Sequence, residues 1–152
     1  MDPRLALVTL ENVADACRLT IRPEQEGTVA PVAVSLAEAY ASPDTAWPRL
    51  VTDGDGGPAV GFVMGGFDPD AEVPAFRCGI WRLTVAGHAQ GHGVGRFAVQ
   101  AVADEARRRG RDRLTVLWVR HEHGPEQFYR RLGFRPTGEE LFGQVVCEWW
   151  LP

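Results

Sequence analysis

Between Trp81 and Leu114 the chain passes from an apolar run, Trp81-Arg82-Leu83-Thr84-Val85, through the turn Gln90-Gly91-His92-Gly93-Val94-Gly95 and straight into a helical pattern. This junction restricts the fold more than any other stretch, because a strand, a tight glycine turn and an amphipathic helix must follow one another with no linker to absorb misfit. Val94, Phe97, Ala98, Ala101, Val102 and Ala106 recur at helical spacing, whereas Gln100, Asp104 and Arg107 fall on the opposite side. Arg107, Arg108 and Arg109 complement the negative end of the helix dipole, and Gly110 ends the helix. At its front, the first N–H groups have no internal partners and the dipole is positive, so the turn is suited to hold an anion. Gly91, Gly93 and Gly95 have no Cβ, which lets several consecutive amides approach one diphosphate.

The rest of the chain sets that junction in a mixed architecture. Arg4–Leu10 reads as a first strand, Asn12 as the N-cap of a short helix carrying Val13, Ala16 and Cys17, and Val32–Ala41 as a second helix. Trp47–Thr52 and Ala59–Phe67 read as a hairpin around Asp53-Gly54-Asp55-Gly56-Gly57, and Phe76–Val85 as a central strand apolar on both faces. Arg113–Val119 is a further strand. Gly124-Pro125 opens a helix that Gly133 closes, and Phe134 with Gln144–Leu151 supplies closing strands. The expectation is α/β (α+β), a mixed sheet covered on both faces, within one domain spanning residues 1–152.

Composition narrows the function classes. With 45% hydrophobic and 24% charged residues the chain is an ordinary globular one, and a net charge of −4 disfavours a nonspecific nucleic-acid binder while suiting a cationic small molecule. Cys17, Cys78 and Cys147 are odd in number and widely spaced, which predicts reduced, buried thiols in a cytoplasmic protein. No apolar run of about 18 residues is present and no signal pattern opens the chain, so no membrane partner is expected. His88, His92, His121 and His123 are not completed by a cysteine or carboxylate set, so no metal is expected. A dinucleotide fingerprint fails because Arg96 occupies the sixth position, and a Walker A loop lacks its Gly-Lys-Ser/Thr ending.

Gln90, Gly93 and Gly95 after Leu83-Thr84-Val85, followed by Tyr129, Gly133 and Phe134, resemble the GNAT (GCN5-related) N-acetyltransferase superfamily. Ser35–Tyr40, Val60–Met64 and Ile80–Leu83 are similar to its bacterial spermine/spermidine (diamine-type) branch. The resemblance implies a mostly antiparallel sheet with a central parallel, splayed strand pair that holds acetyl-CoA as cosubstrate. Leu83, Thr84 and Val85 would pair with pantetheine, and Gln90, Gly91, His92, Gly93, Val94, Gly95 and Arg96 would hold the diphosphate. Tyr129 would protonate the departing thiolate. The family's strand carboxylate is missing, since Ile80, Trp81 and Arg82 stand there, which leaves Glu122, flanked by His121 and His123, as the candidate base. Trp81, with Trp149 and Trp150, offers aromatic faces to an alkylammonium, and Glu38, with Asp15, Glu24 and Glu26, offers charge to a far ammonium. The expected reaction is acetylation of a small-molecule primary amine, a polyamine first, with an amine-bearing antibiotic, an amino-acid-like metabolite or a noncatalytic acyl-CoA sensor as alternatives. The strand at Cys147–Leu151 is a candidate edge for a homodimer.

Overall fold

A computed structural model describes all 152 residues. Its elements follow in the order β1 (Pro3–Ala6), α1 (Val13–Cys17), α2 (Val32–Ala41), β2 (Ala46–Asp53), β3 (Ala59–Phe67), β4 (Cys78–Val85), α3 (Val94–Arg108), β5 (Arg113–Val119), α4 (Glu126–Leu132), β6 (Arg135–Leu141) and β7 (Gln144–Trp150). The strands form one sheet ordered β1-β2-β3-β4-β5-β7-β6, antiparallel everywhere except at β4–β5.

Strand alternation distributes the core over two faces. Leu50, Phe62 and Met64 turn toward a cluster containing Ala16, Val32 and Ala39 of α1 and α2. Their neighbours Val51 and Val63 turn the other way, toward Val94, Ala98, Val99, Val102 and Ala106 of α3. Each fully buried valine or leucine contributes about 1.5–3 kcal/mol, so α3 is anchored chiefly by this stripe. Helices therefore cover both faces, and the mixed sheet expected from the sequence is present.

Several local expectations are corrected. The first strand stops at Ala6 because Asn12 organises the loop behind it: Thr9 N–H donates to its Oδ1 at 2.8 Å, and its own amide donates to Leu7 O at 2.9 Å. Asn12 occupies the cap position but spends its side chain on that loop and not on the helix. β4 begins at Cys78, since Pro74–Phe76 forms a 3₁₀ turn. Pro125, not Gly124, is the N-cap of α4. Arg135–Leu141 forms a full strand, which places β7 between β5 and β6. Cys147–Leu151 is thus interior and not an edge; the edges are β1 and β6. Cys78 and Cys147 are buried, but Cys17 is exposed. No helix is long and apolar enough to cross a membrane.

Two features of β4 shape the surface beside it. Pairing with β3 slips from Met64↔Arg82 to Gly65↔Ile80, leaving Trp81 as the extra residue of a bulge, a device that re-aims side chains. Pairing with β5 is confined to Gly79↔Thr115 and Ile80↔Val116. At that vertex a Cβ on Gly79 would lie 2.5 Å from Thr115 Oγ1, so only glycine lets the strands approach. The Thr115 hydroxyl meanwhile bridges to Ala75 O at 2.5 Å and to Cys78 O at 3.2 Å. Beyond the vertex the two strands part.

Candidate active site

The gap between β4 and β5 presents unpaired backbone. Ala86 N–H donates to Val60 O at 2.9 Å, and by the alternation of an antiparallel ladder Leu83 and Val85 then direct their N–H and C=O groups away from β3, toward the side where β5 has ended its pairing. Buried amides left without partners cost about 1–3 kcal/mol each, so this edge is built for a ligand carrying its own amides. The Val85 carbonyl is already occupied, accepting from Gln90 Nε2 at 3.1 Å.

A cavity of about 470 Å³ fills the gap. Leu83, Val85, Gln90, Gly91 and Gly95 line it from the β4 side, and Val116, Trp118, Phe128 and Tyr129 from the β5 and α4 side. Gly91 (φ +82°) and Gly93 (φ +85°) take the left-handed conformation that lets the turn curl into α3, and Gly93 caps the helix with no side-chain hydrogen bond. No side chain therefore competes for the first N–H groups of α3. Gly95 faces the Phe128 ring, which a Cβ would reach at 3.0 Å.

Residues 21–30, a connection with no repeating pattern, close one wall of the cavity through Ile21, Gln25, Thr28, Val29 and Ala30. Gln25 and Gln90 join that wall to the glycine turn by a reciprocal amide pair, Gln25 Nε2 to Gln90 Oε1 at 3.0 Å and Gln90 Nε2 to Gln25 Oε1 at 2.7 Å. Gln25 is not identifiable from sequence as a site residue, because a polar residue in a loop, 65 positions from its partner, carries no local signal.

Tyr129 is 4% exposed, lies parallel to Trp118 with 5.4 Å between ring centroids, and meets Phe128 and Phe134 edge-on. Burial pushes its phenol well above the ordinary value near 10, so it stays protonated. A neutral O–H bordering a cavity can give a proton to an anion formed there.

A second cavity, of about 360 Å³, shares Ile80, Trp81, Arg82, Leu117 and Gln144 with the first. Its remaining lining includes Thr45, Phe67, Asp68, Phe76 and Phe142. The two cavities meet along the bulge of β4, where each presents a different environment to the same residues. Arg82 lies in this shared wall; its Nη2 donates to Glu38 at 3.1 Å, its Nη1 donates to the Trp81 carbonyl at 3.0 Å, and its Nε is buried without a partner.

The candidates from the sequence are thereby sorted. Leu83, Val85, Gln90, Gly91, Gly95, Trp81 and Tyr129 border one or both cavities. His92 and Gly93 are exposed within the turn itself, and Arg96 is exposed in the first turn of α3. Thr84 and Val94 point their side chains into the interior, Thr84 with an unpartnered hydroxyl, so only their backbones are at the site. Glu38 borders neither cavity and is held by Arg82. Glu122 is exposed and lines a third depression with Arg120, His121 and Glu126, outside the lining of both main cavities. Asp15 spends a carboxylate oxygen on the Ala59 amide at 2.9 Å. Trp149 packs on Phe134, and Trp150 is exposed beside Arg113. No group of three His, Cys, Asp or Glu side chains is placed to hold a metal ion.

Residues 11–134 match the model of the acetyltransferase (GNAT) family. Among solved structures, an acetyltransferase from Thermus thermophilus superposes with a TM-score of 0.76 at 21% identity, covering 99% of this chain and 98% of that one. The PaiA N-acetyltransferase of Thermoplasma acidophilum, in complex with coenzyme A, gives 0.71 at 11% identity over 99% of both chains. N-acetylglutamate synthase of Neisseria gonorrhoeae, complexed with coenzyme A and N-acetyl-glutamate, gives 0.72 at 19% identity over 100% of this chain and 36% of that one. A search of curated proteins finds no significant match.

Proposed function

The chain belongs to the acetyltransferase (GNAT) family, and on that premise we propose that residues 1–152 act as one domain that moves the acetyl group of acetyl-CoA onto the primary amine of a small, amino-acid-like molecule. The observation that carries this reading is the meeting of two cavities at Ile80, Trp81 and Arg82. A thioester in the β4–β5 gap and an amine in the second cavity would come together across that wall, as direct transfer in a ternary complex requires.

The chemistry follows from the lining groups. Pantetheine amides pair with the free backbone of Leu83 and the free N–H of Val85, and the diphosphate rests on the amides of Gly91–Arg96, supplemented by the Arg96 charge. The amine nitrogen attacks the thioester carbon, a backbone N–H of β4 facing the gap stabilises the developing oxyanion, the C–S bond breaks, Tyr129 gives its proton to the thiolate, and the acylated nitrogen returns a proton to the tyrosinate through water. An ammonium must first lose a proton. Arg82 helps here, since a neighbouring guanidinium disfavours a second positive charge and so favours the neutral, nucleophilic amine. Asp68 is the carboxylate bordering the second cavity and would accept that proton through water. Glu122, facing the third depression, is left without this role.

A polyamine fits these walls poorly. Asp15, Glu24, Glu26 and Glu38 border neither cavity, and the second one is lined by a single carboxylate, Asp68, and a single guanidinium, that of Arg82, which Glu38 pairs from outside the lining. One charge of each sign complements a zwitterion, whereas a polycation needs several carboxylates. The Neisserian relative's bound N-acetyl-glutamate is a product of this kind.

The test is CoA release measured with spermidine, aminoglycosides and free amino acids. Tyr129→Phe, which keeps the stack on Trp118, is expected to lower kcat by roughly 10²–10⁴-fold while leaving acetyl-CoA affinity intact. Full activity in that variant would remove Tyr129 from the mechanism, and preference for spermidine would reverse the assignment of acceptor.

A further inference from the structure

The turn between β6 and β7 contains only Phe142 and Gly143, with φ of +52° and +73°. Two-residue turns with both φ values positive favour asparagine, aspartate and glycine, because a Cβ crowds the following carbonyl in the left-handed region. A phenylalanine there is doubly unfavourable, since it is also 81% exposed. Neither the hairpin nor the core accounts for it. The ring instead lies against Phe76, itself exposed at the end of the 3₁₀ turn before β4, with 6.1 Å between centroids and an 11° interplanar angle. Both rings line the second cavity, and neither borders the acetyl-CoA gap. The arrangement has a direction: Trp81 and Arg82 stand at the end shared with the thioester, and the two aromatic rings stand in the part that is not shared.

Resting on the function proposed above, we propose that Phe76 and Phe142 form an aromatic clasp that selects an α-amino acid acceptor with a flat apolar side chain. The amino and carboxylate groups would lie beside Trp81 and Arg82 at the thioester end, and the side chain would extend into the unshared part and reach the rings. Offset or edge-on packing of aromatic groups favours such a ligand over an aliphatic one of equal charge. Strain and exposure in the free protein are then offset in the complex, where the ligand covers both rings.

Steady-state acetylation of L-phenylalanine, L-tryptophan, L-alanine and spermidine, with calorimetry for acetyl-CoA, tests the assignment. The wild-type protein should prefer the aromatic amino acids over alanine by roughly tenfold or more in kcat/KM. Phe142→Gly keeps a residue suited to φ +52° and so preserves the turn; it should raise KM for phenylalanine by a similar factor, bring the aromatic preference toward unity, and leave Tm equal or higher. Phe76→Ala should shift KM in the same direction. A Phe142→Gly protein with lowered Tm and unchanged KM would assign the ring to stability and overturn the clasp, as would a wild-type preference for alanine or spermidine. Absence of acetyl-CoA binding, or of acetylation with every amine, would instead refute the underlying function.

Discussion

Tyr129 joins an observed packing role to the chemistry proposed for it. Its ring stacks on Trp118 and meets Phe134 edge-on, while the same burial keeps its phenol protonated. The pH dependence of kcat/KM should accordingly rise as the amine deprotonates, with no falling limb from Tyr129 up to about pH 10. A downturn that begins near neutrality and disappears in Tyr129→Phe would contradict this. Cys147, fully buried in β7, makes a separate prediction about stability: burial pushes its thiol from an ordinary value of 9.0 up to about 11. Because the unfolded thiol ionises first, its contribution is complete below pH 9 and falls as pH rises through 11. Denaturant titrations should show that decline, and Cys147→Ala should flatten it. Tyr129 is legible only through the family resemblance that it carries together with Gly133-Phe134; its spacing alone reads as packing. Arg82 with Glu38 is not, because the pairing depends on how α2 lies over β4, across 44 positions of chain.

At the scale of elements, α3 and its turn are the most legible part, since the apolar stripe and three glycines state both the face and the start of the helix. Gly93→Ala tests the turn directly. Nothing lies within 4 Å of the added Cβ, so the penalty is conformational, about 1–2 kcal/mol for a left-handed L-residue, which corresponds to a Tm lower by roughly 2–8 °C. Acetyl-CoA affinity should weaken with it; unchanged Tm and affinity would show that the turn does not need this conformation. The loop of residues 21–30 is illegible as a cavity wall, for its anchor is the reciprocal amide pair of Gln25 with Gln90. Gln25→Ala should raise the acetyl-CoA Kd by roughly 5–30-fold, in keeping with about 1–2 kcal/mol for the two hydrogen bonds it removes. Adding Gln90→Ala should cost less than the sum of the single changes, and strict additivity would deny the coupling. β6 is hidden as a strand because its polar run Thr137–Glu140 surrounds Gly138 and resembles a loop; pairing with β7 at Arg135–Pro136 and Glu140–Leu141 holds the strand on either side of an irregular middle.

The molecule as a whole is a sheet whose central parallel pair is joined only at Gly79–Thr115 and Ile80–Val116. The proposed chemistry depends on that short union, which leaves backbone free on β4 and lets two cavities share Trp81 and Arg82. The architecture is legible from the alternation of strand and helix patterns, whereas the second cavity is not, because its walls come from the β3–β4 connection, β5 and the β6–β7 turn, which no sequence period links. A crystal structure of the protein with coenzyme A is the most direct measurement. It should place diphosphate oxygens within about 2.7–3.2 Å of the amides of Gly91–Arg96, pantetheine along Leu83 and Val85, and the sulfur beside Tyr129. Coenzyme A bound elsewhere, with the β4–β5 gap closed or empty, would contradict the account at its foundation.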